Sequence, residues 1–133
     1  VSRFLAFFFA AFLTLAAPLA SAQTTAYLRL IEDVPLPQGY REAGEAVVFE
    51  GTAGRIVQTS IIGRAGREAA RRFYLDALPV LGWSSAPEAG GDLIFNRGRE
   101  RLSIVFSESQ ATAPNLSAVQ FRLVTRPASL TPD

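Results

Sequence analysis

Only one stretch of this chain carries the three-and-four spacing of an amphipathic helix. Ala69/Ala70, Phe73/Tyr74, Ala77/Leu78 and Leu81 recur on one stripe, and Glu68, Arg72 and Asp76 stand four apart on the opposite one. Pro79, which lacks an amide proton, is expected to bend the last turn, and Gly82 to end the helix. Everything else with a period reads as strand. Residues 46–50 and 55–62 are rich in β-branched and aromatic side chains and flank Gly51-Thr52-Ala53-Gly54, the pattern of a hairpin. After the helix come Leu93-Ile94-Phe95, a turn at Arg97-Gly98-Arg99, then Leu102, Ile104 and Phe106, and finally Val119, Phe121 and Leu123 in alternation with polar neighbours. One helix must therefore cover one face of one sheet. The order ββαβββ predicts an α+β two-layer sandwich, an antiparallel sheet of about five strands under a single helix. Phe49, Phe73, Phe95, Phe106 and Phe121 are expected in its core, with Trp83 closing the helix end.

Ahead of this pattern lies a different composition. Of ten Phe in the chain, Phe4, Phe7, Phe8, Phe9 and Phe12 crowd the first twelve residues. Arg3, an apolar run and then Pro18 and Ala20-Ser21-Ala22 form the three parts of a secretory leader, with Ala20 and Ala22 as the small residues before the cut. The apolar core is short for a spanning helix, which favours a cleaved leader over a retained anchor. The expected organisation is a cleavable signal peptide at 1–22, an extended lead-in at 23–45, one α+β domain at 46–126 and a fraying tail at 127–133. The lead-in contains Pro35 and Pro37, which disfavour helix on both sides. After cleavage, twelve Arg face twelve Asp and Glu, a neutral body that argues against nucleic acid as partner. On this reading the chain meets the membrane only through its leader, before cleavage, and works in the periplasm.

The absences are equally informative. The sequence has no Cys, Met, His or Lys, so every basic residue is Arg. This excludes disulfides, imidazole or thiolate metal sites, Ser–His and Cys nucleophile systems and Schiff-base lysines; no cofactor is expected. Carboxylates are the remaining catalytic candidates, chiefly Glu42 and Glu45, and glycoside hydrolysis would require two of them facing each other across a cleft.

Two arginine clusters stand out as binding candidates. Arg97, Arg99 and Arg101 alternate across a turn, where they could share one edge and grip a carboxylate or phosphate, or simply solvate a hairpin tip. Arg64, Arg67 and Arg71 surround the expected helix start, a costly position for cations beside the positive end of the helix dipole. Between strand and helix, Ile61-Ile62-Gly63-Arg64-Ala65-Gly66 resembles the I-G-x-x-G loop of KH domains. There, however, a helix precedes the loop, whereas here a strand does. The reading preferred is a connection in which Gly66 caps the helix.

Asp33-Val34-Pro35-Leu36 with Gly39, followed by Phe73-Tyr74 and Leu78-Pro79-Val80-Leu81-Gly82-Trp83, resembles a family of small exported bacterial α+β domains with this lead-in and helix. The resemblance runs from about Asp33 to Leu123 and implies an envelope-associated domain, with no catalytic residue or ligand to carry over. The function expected is a non-enzymatic periplasmic module that binds an envelope protein or an anionic envelope component. The alternatives are a carboxylate-dependent cell-wall hydrolase and a carrier holding a small apolar ligand between helix and sheet.

Overall fold

A computed structural model describes residues 24–87, 90–108 and 116–128; the expected leader, with Ala20 and Ala22, and the end of the tail lie outside them. The element order is β1 (Tyr40–Gly51), β2 (Gly54–Gly63), α1 (Arg67–Val80), β3 (Ser84–Ala86), β4 (Leu93–Arg97), β5 (Glu100–Glu108) and β6 (Ser117–Thr125). The six strands form one antiparallel sheet in the order β1-β2-β6-β5-β4-β3. Among the described residues, the α+β class and one covering helix are as the periodicity predicts. The strand number is not: six described strands in the order ββαββββ replace the expected sheet of about five. The additional strand is β3, a three-residue edge strand of Ser and Ala that no apolar alternation announces.

Strand β1 also begins earlier than the alternation suggests, at Tyr40 rather than Ala46. Its pairing with β2 slips between Ala43 and Val47, where Gly44 adopts a φ of 73°. This bulge hides the strand period in the sequence.

Alternation along the inner strands sorts side chains to two faces. Val57 and Ile61 of β2, Val119, Phe121 and Leu123 of β6, Leu102, Ile104 and Phe106 of β5, and Leu93 and Phe95 of β4 are buried under the helix. From above, α1 contributes Ala70, Tyr74 and Leu78, spaced by four, and the Tyr74 ring meets the Phe121 ring edge-on at 5.4 Å. Phe73 is only half-buried beside Tyr74, and Phe49 is 59% exposed, so these two expected core aromatics leave the core. Glu68, Arg72 and Asp76 face outward, and no ion pair joins them among the described residues.

The helix ends as its sequence demands. Trp83 N–H reaches back to Leu78 O (3.1 Å) and Gly82 N–H to Pro79 O (3.2 Å), while Gly82 has a φ of 89°. This is a Schellman stop, and its usual apolar contact is supplied by buried Leu78 and Trp83.

The segment before β1 is a second cover on the same face. Leu28 N–H bonds to Val34 O (2.9 Å) and Leu36 N–H to Ala26 O (2.7 Å), closing a loop whose Leu28, Ile31 and Val34 are buried in the main core. The Tyr74 hydroxyl donates to Pro35 O at 2.9 Å, tying this loop to the helix. Burial pushes the ionisation of that hydroxyl far above the ordinary tyrosine range, with a smaller push from neighbouring Tyr40, so it remains a donor.

Candidate functional site: the uncovered sheet face

Helix and lead-in loop both lie on one side of the sheet, so among the described residues no element covers the other side. Its side chains follow from the register. Phe49 and Ile56 stand beside Val124 and Arg101; Val47 and Gln58 beside Arg122 and Ser103; Ala43 and Ser60 beside Gln120 and Val105; Arg41 and Ile62 beside Ala118 and Ser107. A shallow groove of about 450 Å³ runs over the middle of this face, lined by Gln58, Ser60, Gln120, Arg122 and Ser103, with Glu45 of the β1 bulge at its rim. The platform is rigid because β2, β6 and β5 are inner strands with both backbone edges paired. The groove can therefore be read only by side chains: amides and hydroxyls that both donate and accept, and a guanidinium that donates only.

The register also sorts charge. Glu42 lies opposite Ile61, Glu50 opposite Arg55 and Glu100 opposite Arg97, all at helix-side positions. The helix-side arginines of the strands are neutralised there: Arg55 pairs with Glu50 (2.9 Å) and Arg97 with Glu100 (3.0 Å). On the open side stand Arg41, Arg101 and Arg122, all exposed and without an ion-pair partner among the described residues. The acid at this groove is Glu45.

The candidates from sequence separate accordingly. Arg97, Arg99 and Arg101 do not share one edge. Arg97 turns to the helix side, 4.2 Å above the Trp83 ring, and bonds Asp33 Oδ2 (2.9 Å) and Glu100 Oε2 (3.0 Å). It is a clasp between the lead-in loop, the helix end and the β4–β5 hairpin. Arg99 donates to Arg126 O (3.0 Å), and only Arg101 belongs to the open face. At the helix start, Arg64 is exposed, Arg71 is half-buried and already engaged, and Arg67 lies against Gly91 with its Nε buried and lacking a hydrogen bond. Gly66 caps the helix by its backbone alone, without a side-chain bond.

Glu42 and Glu45 fall on opposite sides of the sheet: Glu42 accepts from the Arg29 amide (3.0 Å) and pairs with its guanidinium, while Glu45 lines the open groove. Among the described residues no group of three or more His, Cys, Asp or Glu could hold a metal ion.

Arg41 and Arg122 are the open-face residues that sequence reasoning passed over. The signal for Arg122 was present, since it alternates with Phe121 and Leu123 and so must face away from the core. Arg41 had no such signal, because the bulge conceals its strand. No protein-family model, curated protein or solved structure matches the chain.

Proposed function

We propose that the chain is an exported, non-enzymatic binding module of the cell envelope, with the uncovered sheet face as its contact surface. The observation that carries this reading is the groove over β2, β6 and β5, a rigid floor studded with Gln58, Gln120, Ser103 and Arg122. Export is supported by the leader-like sequence at 1–22 and by the resemblance to small exported α+β domains. The partner classes remain an envelope protein or an anionic envelope component.

The two alternatives fare less well. A paired-carboxylate hydrolase needs two carboxyls across one cleft, and the opposed faces of Glu42 and Glu45 weigh against it. A carrier needs space between helix and sheet, where Ile31, Val34, Tyr74, Leu78, Phe95 and Phe121 are packed at 0–1% exposure. The test combines cell fractionation with NMR titration of the purified domain by solubilised envelope. The expected result is a processed chain in the periplasm and shifts confined to open-face residues of β2, β5 and β6. Retention of the leader in the cytoplasm, or clearing of peptidoglycan in a zymogram that disappears on Glu45→Gln, would contradict it.

A further inference from the structure

The open-face arginines are not scattered. Taking the transverse rows in turn, Arg41 occupies β1, Ser60 lies one strand over and one row on, Arg122 one further strand and row, and Arg101 the next. Each step is a diagonal neighbour, about 7–8 Å. Three guanidiniums and one hydroxyl thus form a line across four adjacent strands, with Arg41 to Arg122 spanning two steps and Arg122 to Arg101 one. Gln58 and Gln120 flank the line within the groove. The Ser60 hydroxyl donates to Ala43 O (2.8 Å) and keeps its acceptor side free. At the Arg101 end, exposed Phe49 and half-buried Ile56 and Val124 add an apolar border.

We propose that this diagonal binds a carboxylate-bearing polysaccharide strand, laid across the sheet rather than along a strand edge. The inference rests on the open face being the contact surface and names its ligand. Charge complementarity selects an anion: among the described residues the face presents Arg41, Arg101 and Arg122 against the acid Glu45 at the groove, and the other strand arginines are neutralised in ion pairs. The one-to-two spacing of the guanidiniums suits a polymer that repeats its anionic group. A glycan fits better than an acidic peptide because the inner-strand backbone is fully paired and offers no strand addition. What remains are amides and hydroxyls that match sugar hydroxyls in both senses, and guanidinium forks that match carboxylates.

The test titrates the purified domain, monitored by NMR, with three probes: oligogalacturonate, a neutral maltooligosaccharide and a poly-glutamate peptide. Oligogalacturonate is expected to shift Gln58, Gln120, Arg101 and Arg122, to bind about tenfold more weakly to Arg101→Gln and Arg122→Gln, and to weaken with added salt. The exposed helix variant Arg72→Gln should bind like the parent. Equal binding of the neutral glycan, equal or tighter binding of poly-glutamate, shifts mapping elsewhere, or no binding at millimolar probe would each overturn the proposal. If no probe binds yet solubilised envelope still shifts the open face, the glycan fails and the binding-module reading stands. If neither shifts it, both fail.

Discussion

Tyr40 and Gly63 face each other across the β1–β2 pair, and the tyrosine ring lies where a side chain on residue 63 would be: a Cβ there would sit 2.5 Å from the ring Cγ. From that position the Tyr40 hydroxyl, 2.5 Å from both Ala65 O and Ser117 Oγ, holds the turn into the helix, and Ser117 donates to the same carbonyl. The glycine that gives the loop its KH-like spacing is thus accounted for by packing.

Gly63→Ala should therefore overpack the end of the sheet and cost about 1–3 kcal/mol. Tyr40→Phe keeps the ring but leaves the buried Ser117–Ala65 pair with one donor fewer, a loss of about 1 kcal/mol. Urea unfolding of both variants measures this, and a neutral Gly63→Ala would show that the ring does not need that space.

Arginine positions that look alike in sequence should differ in stability. Arg97→Ala removes the contact over Trp83 and the bonds to Asp33 and Glu100, an expected loss of about 1–2 kcal/mol given its partial exposure. Arg99→Ala removes an exposed bond to the Arg126 carbonyl and should stay within about 0.5 kcal/mol. Chemical denaturation of the pair gives the comparison directly.

The aromatic residues should rank by burial. Phe121→Ala, at a site 1% exposed, is expected to cost about 3–5 kcal/mol. Phe73→Ala should cost less, since its ring is half-buried, and Phe49→Ala should be close to silent. Thermal melts of the three variants test the order.

Alkaline pH should destabilise the fold through Tyr74. Its hydroxyl ionises far above the ordinary range when folded but near about 10 when unfolded. Above that pH the unfolded chain has lost a proton that the folded chain keeps, so stability falls as pH rises, by up to about 1.4 kcal/mol per pH unit. Below it the contribution is constant. Tyr74→Phe should flatten this slope while losing the bond to Pro35 O; stability measured from pH 8 to 11.5 gives the answer.

The helix, its stop at Gly82 and the inner strands were legible because each has a period: Ala70, Tyr74 and Leu78 at four, Phe121 and Leu123 at two. Where the period fails, so does the reading. Gly44 and Glu45 interrupt β1, Ser84–Ala86 has no apolar face to show, and Leu28, Ile31 and Val34 enter the core from a loop closed by backbone bonds. Phe49 looked like core because it is aromatic in a strand, yet its register opposite Ile56 turns it to the open face, while Val48 beside it lies opposite buried Val57. The candidate site was half legible: Arg101 was named, but its alignment with Arg122 and Arg41 exists only once strand order and register are fixed.

The claim that the uncovered face is the working surface is tested most directly by arginine footprinting. Treating the protein with phenylglyoxal in intact periplasm and again after purification compares the same side chains in two settings. The account predicts that Arg101 and Arg122 are shielded in the periplasm and react after purification, while Arg72 on the outer face of the helix reacts in both. Shielding of Arg72 with Arg101 and Arg122 freely reactive would put the contact on the helix and contradict it.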